Sequence, residues 1–232
     1  FNVFYNMADA DALPIDKETS DAYELGYKYA SNDLIFNAAI FRTNIDGFQA
    51  NNSDLLDGVT ITRLTNAGSV ITEGIEFDLM WQVTDDFTLT GGLSKVDAEV
   101  DEFKCPVTDA NCTGRSGADL PFSPDLKYSV TGEYLWELDN MNVILNSSYV
   151  YTDEMYAGAP GGTATAIDLL PDYGILNASL AFSFDDDAYR ISLIGKNLTD
   201  KSFVTTYSGD NFRYQIPRDA DRYFGVQLRA NF

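Results

Sequence analysis

The stretch LKYSVTGEYLWEL, Leu126 to Leu138, alternates with a period of two. Leu126, Tyr128, Val130, Gly132, Tyr134, Trp136 and Leu138 fall on one side, and Lys127, Ser129, Thr131, Glu133 and Glu137 on the other. That is a β-strand with one apolar and one polar face. Two environments give the same pattern: a soluble sheet lying on a core, or a barrel wall with lipid outside and water inside. The rest of the chain decides between them.

The same alternation recurs along the 232 residues. DAYELGYKYA puts Tyr23, Leu25, Tyr27 and Tyr29 against Glu24, Gly26 and Lys28, and LIFNAAIF sets Phe36, Ala38 and Ile40 against Asn37 and Ala39. TEGIEFDLMWQV sets Ile75, Phe77, Leu79, Trp81 and Val83 against Glu76, Asp78 and Gln82. FTLTGGLS, VILNSSYVY, ILNASLAFSF and YRISLIGKNL continue it. The last strand, YFGVQLRANF, faces one way with Phe224, Val226, Leu228, Ala230 and Phe232. Short polar links (SND, TDD, DNMN, DDDA) join these segments in pairs, and long stretches separate the pairs. One of these, residues 47–68, is a polar excursion containing the β-rich VTITRLT, a candidate strand extension above a membrane.

Strict alternation of short and long connections has no purpose in a soluble sandwich, where loops beyond about 12–15 residues are uncommon. It is the plan of an outer-membrane barrel, with tight periplasmic turns and long extracellular loops. Mid-strand charges such as Glu24, Lys28, Glu76, Asp78, Lys127, Glu133, Arg190, Lys196 and Arg229 then line a wet lumen. Tyr29, Trp81, Trp136, Tyr149, Tyr151, Tyr189 and Tyr223, near strand ends, suit the interfacial girdles. The expected fold is therefore all-β, an antiparallel membrane barrel wall of about nine or ten strands.

Composition agrees. The chain has 14 Tyr, 15 Phe and 17 Gly, which favours strands and turns. A mean hydropathy of −0.18 does not argue against a membrane, because barrel strands of about 9–11 alternating residues escape a hydropathy scan. With 15 Lys plus Arg against 36 Asp plus Glu, the net charge of −21 repels phosphate backbones, so nucleic acid is not an expected partner. There is no histidine, which removes His-based triads and His-containing zinc sites. The Gly-rich pieces GAPGG and TGG lack the lysine of a phosphate loop. No catalytic residue, cofactor or metal site is expected, and the chain reads as a non-enzyme.

The two cysteines, Cys105 and Cys112, sit among turn residues in KCPVTDANCTG. Their spacing is wide for a redox pair and further metal ligands are lacking, so they read as a loop disulfide formed in an oxidising compartment. The many loop aspartates, among them Asp9, Asp11, Asp54, Asp57, Asp109, Asp119, Asp210 and Asp219, match no calcium-loop spacing. They read as solvated surface, with divalent bridging to lipopolysaccharide as the alternative. Tyr207, Phe212, Arg213 and Tyr214 are candidate loop contacts to a substrate, or pack loop against loop.

Several ordered pieces resemble the barrel of TonB-dependent outer-membrane receptors. They are Glu24-Leu25-Gly26-Tyr27-Lys28, Asn66-Ala67-Gly68 with Gly74-Ile75-Glu76, Asn197-Leu198-Thr199-Asp200-Lys201, Pro217-Arg218, and the terminal Phe232. The resemblance implies a closed barrel of about 22 strands, of which residues 1–232 are the C-terminal portion, without plug domain or TonB box. It implies TonB-energised import of a siderophore or other bulky nutrient in the bacterial outer membrane. The implied partners are outer-membrane lipid and lipopolysaccharide, the plug and N-terminal strands of the same receptor, TonB, and the barrel-assembly machinery. That machinery would read the last strand through Phe224, Val226, Leu228 and Phe232. The alternatives are a passive porin-like or adhesive barrel of about ten strands, and a secreted soluble β-sandwich acting as a binding module.

Overall fold

A computed structural model describes residues 15–56, 59–104, 116–157, 169–185, 187–208, 212–214 and 221–231. The strands are β1 (Thr19–Ala30), β2 (Leu34–Leu56), β3 (Val59–Thr84), β4 (Phe87–Phe103), β5 (Ala118–Asp119), β6 (Leu126–Leu138) and β7 (Met141–Thr152). They continue as β8 (Met155–Tyr156), β9 (Leu169–Leu170), β10 (Tyr173–Phe184), β11 (Tyr189–Lys196), β12 (Thr206–Ser208), β13 (Phe212–Tyr214) and β14 (Tyr223–Ala230). One sheet of 10 strands runs in the order β1-β2-β3-β4-β6-β7-β10-β11-β14, with β5 added to β4. Every pairing is antiparallel, and β1 and β14 are the two edges of a partial barrel.

The register carries each apolar face onto the next. Leu25 pairs with Ile40, Ile40 with Ile75, and Phe77 with Leu93. Leu93 meets Tyr128, Val130 meets Tyr149, Tyr134 meets Leu145, Leu180 meets Leu193 and Leu193 meets Val226. A slip of one residue anywhere would send one strand's apolar set to the wrong side. The register shift between Gln82 and Thr84 lies beside the β3–β4 turn, so the apolar surface continues across nine strands. The opposite surface links Lys28, Asn37, Asp78, Gly92 and Ser129, and one row away Ala39, Glu76, Ser94, Lys127 and Thr152. Ile35 and Met80, paired with each other, are apolar exceptions on that polar side.

The residues 47–68 form no free excursion. β2 has 23 residues and β3 has 26, against 12 in β7 and β10, so this hairpin rises well past its neighbours. Along that rise the polarity exchanges sides. Arg42, Glu73, Lys95 and Asp97 continue the formerly apolar face, while Phe41, Val70, Val96 and Ala98 continue the formerly polar one. Val70 is 1% exposed, Ala67 2% and Ala98 7%, a small core beyond the band. Alternation is broken by bulges at Gly47, between Asp46 and Phe48, and between Ser69 and Val70. A bulge adds one residue to one strand and resets its facing.

Candidate membrane wall and loop-end site

The short turns at Ser31–Asp33, Asp85–Asp86, Asp139–Asn140 and 185–188 share one rim, and the long connections share the other. On the apolar face, aromatic side chains gather at both rims. Near the turns, the Tyr134 and Trp136 rings lie 4.5 Å apart and Phe87 lies 6.3 Å from Tyr134. Near the long connections, Tyr128 stacks on Tyr151 at 5.1 Å with Tyr149 6.0 Å away. From Tyr128 to Trp136 is roughly 26 Å of strand, or about 20 Å along a membrane normal at barrel tilt, near the height of a lipid-facing band. Between the girdles Leu25, Ile40, Val130, Leu193, Val226 and Leu228 lie exposed. Tyr223 is a correction to the girdle expected from sequence: it pairs with Lys196 on the polar side.

Three glycines on the apolar face are roofed by aromatic rings from the adjacent strand. Gly132 lies under Phe87, Gly174 under Tyr149 and Gly195 under Phe224. Phe224, Val226 and Leu228 of β14 are 73%, 67% and 74% exposed and stand on this face, as the sequence placed them. Phe224 and Val226, with Leu145, Leu180, Leu193 and Leu198, edge an apolar groove of about 550 Å³ over Ala178 and Gly195. Phe232, Cys105 and Cys112 lie outside the described residues, so the terminal aromatic and the proposed disulfide stay expectations.

The chain end is fastened to the turn rim. Asn231 donates its backbone N–H to Ala188 O at 2.9 Å and its side-chain amide to Asp187 O at 3.0 Å. The Asp187 carboxylate accepts from Ser183 Oγ at 2.6 Å and from Arg190 Nε at 2.9 Å. The Ser183 hydroxyl first, and the Arg190 guanidinium with it, hold this carboxyl below its usual value.

At the opposite rim, Asn197 is 1% exposed with φ 46, a left-handed conformation that asparagine tolerates. Its N–H donates to Asn177 Oδ1, its Nδ2 donates to Lys201 O, and its Oδ1 accepts from Lys201 N, each at 3.0 Å. Asp200 then pairs with Arg222 at 3.4 Å. The Asn197-Leu198-Thr199-Asp200-Lys201 motif is thus a knot that turns the chain out of β11 while tying it to β10. Beyond it, Phe203 stacks on Tyr173 at 4.6 Å. Tyr207 pairs with Arg213, and Ser208 with Phe212, across the β12–β13 hairpin, which brings Tyr207, Phe212, Arg213 and Tyr214 onto one loop element.

Also at this rim, burial first, and then the charges of Asp119, Asp97 and Asp153, raise the Asp125 carboxyl above its usual value, with Lys95 opposing. Among the described residues no group of three or more carboxylate or thiol side chains is arranged to hold a metal ion. Nothing in the sequence singled out the Asp125 cluster, because its members meet only through the pairing of β4 with β5 and β6 and of β6 with β7.

The family described as TonB dependent receptor-like, beta-barrel, matches residues 2–198. The chain is 26% identical over 204 residues to a probable TonB-dependent siderophore receptor, PiuA, of Acinetobacter baumannii. That alignment takes in 85% of this chain and 25% of the relative, so the chain spans about a quarter of that protein's length. In fold it is similar to the ferric yersiniabactin uptake receptor FyuA of Yersinia pestis, with TM-score 0.71 and 19% identity over 93% of this chain and 30% of that one. It is likewise similar to the crystal structure of the siderophore receptor PiuA of Acinetobacter baumannii, with TM-score 0.71 and 22% identity over 92% of this chain and 28% of that one. The wall, with one apolar and one polar surface, short turns at one rim and the Asn197 motif at the other, is a partial barrel, and the chain belongs to the TonB-dependent receptor β-barrel family.

Proposed function

We propose that this chain is the C-terminal barrel segment of a bacterial outer-membrane receptor that takes up a ferric siderophore or another bulky nutrient, driven through TonB. The observation that carries the reading is the apolar surface that continues across nine strands, backed by a polar face. Lipid and lipopolysaccharide cover the apolar band. The polar face, with Lys28, Glu76, Asp78, Lys127 and Glu133, surrounds a plug contributed by the rest of the receptor. An open wall would leave unpaired backbone at β1 and β14, at several kcal/mol per group in hydrocarbon, so both edges pair with further strands of the same receptor. Binding and gated passage require no catalysis.

Within that reading, Tyr207, Phe212, Arg213 and Tyr214 contact substrate from the β12–β13 loop, and Cys105 with Cys112 closes a second loop. The test is uptake of a panel of labelled ferric siderophores, cobalamin, haem and saccharides by cells carrying the full-length receptor, with and without TonB. Saturable uptake of one ligand that disappears without TonB is expected. Passive, non-saturable permeation unaffected by TonB would replace this reading with a porin-like one.

A further inference from the structure

The Asn66-Ala67-Gly68 triplet lies far from the lipid band, and neither lining the lumen nor facing the membrane accounts for it. Asn66 reads both sides of one backbone residue of the strap ahead of β1. Its Oδ1 accepts Asp16 N–H at 2.7 Å, and its Nδ2 donates to Asp16 O at 3.0 Å and to Gly47 O at 2.7 Å. Gln49 reinforces the grip, donating Nε2 to Asp16 O at 3.0 Å and its N–H to Glu18 Oε2 at 2.9 Å. Gly47, with φ 68, lets the strap pass: a Cβ there would stand 2.9 Å from Lys17 O. Ala67 is buried, and its carbonyl accepts Lys104 N–H at 2.7 Å. Gly68, with φ 137, sits so close to the Glu102 carbonyl that any side chain would collide with it.

We infer that this triplet is a joint that positions the loop-end segments: Asn66 fixes the strap at residues 15–18, and Ala67 and Gly68 fix the end of β4, both to the β2–β3 hairpin. The two halves are independent, since they use different atoms and different partners. The inference rests on the receptor reading only in assigning this rim to the substrate side. There the joint presets three neighbouring segments as one rigid face, so that ordering them is not a cost of binding.

The test is pulsed electron spin resonance on the full-length receptor in lipid, with spin labels at positions 15 and 51 in one sample and 51 and 104 in another. Narrow distance distributions are expected for both pairs without further substitution. Asn66→Ala should broaden the first pair at least twofold and leave the second unchanged; Gly68→Ala should do the reverse, and Gln49→Ala should broaden the first pair to a smaller degree. Broad distributions in the unsubstituted receptor, or no broadening in either Asn66→Ala or Gly68→Ala, would overturn the joint. The measurement requires an assembled barrel and no transport, so loss of the uptake reading alone would not alter its outcome.

Discussion

The ring of Phe224 lies across Gly195: an added Cβ on that glycine would stand 3.3 Å from Phe224 Cε1 and 2.7 Å from Leu198 Cδ2. β11 and β14 are thereby locked by shape as well as by their ladder, at the strand pair nearest the chain's end. Gly195→Val should force the ring away and destabilise the assembled protein by about 1–3 kcal/mol, as overpacking does. Urea unfolding of the receptor in vesicles reads this directly, and an unshifted midpoint would mean the ring moves at no cost.

Charge placed on the two faces should have unequal effects. Val226→Lys, exposed on the apolar band, is expected to cost about 2–4 kcal/mol, whereas Gln227→Lys, one residue away and exposed on the polar face, should cost little. Folding yields into vesicles measure the difference. Equal losses for both would argue against lipid on the apolar side.

Acid should loosen the turn between β10 and β11, where the Asp187 carboxylate accepts from Ser183 and Arg190. The Asp187 carboxyl titrates below its usual 3.8 in the folded protein, so its contribution is complete above that value and is lost as pH falls through the lowered one. Asp187→Ala should therefore weaken the protein at neutral pH, and the gap from the parent should close in strongly acidic buffer. Thermal unfolding in detergent at pH 7 and at pH below 3 tests the sign.

Asp125 has the opposite sign. Its raised value means the folded state disfavours the charged form, a penalty present above that value and relieved as pH falls. Asp125→Asn should stabilise the loop-end rim at pH 7 by a few tenths of a kcal/mol, the scale usual for surface substitutions. A decrease in stability at neutral pH would show that the carboxylate has a partner whose loss outweighs the repulsion.

Deleting Phe232 from the full-length receptor should impair outer-membrane assembly while synthesis continues. Surface levels measured against total protein decide it, and unchanged surface display would remove the terminal aromatic from the assembly signal.

The wall was legible in the sequence because a period of two is a local property: Leu126 to Leu138 or Phe224 to Leu228 announce their faces without knowing their neighbours. Two features needed that parity to be followed strictly. Tyr223 had the right type and position for a girdle, but its parity against Phe224, Val226 and Leu228 already put it on the polar face, where it pairs with Lys196. The polarity exchange shows in the sequence as a phase slip, with Ile40 and Phe41 both apolar and Ser94 and Lys95 both polar, while the ladder runs through it without a shift. The joint at Asn66 was visible as a motif, yet its partner Asp16 is 50 residues away.

The bulges at Gly47 and between Ser69 and Val70 lie beyond the apolar band, towards the long-loop rim. Since each absorbs an odd residue, a length change beyond them need not propagate as a change of facing below. Residues can therefore be added to or taken from the long-loop rim while the apolar wall keeps its facing, so that the two ends of one strand are free to differ in length independently.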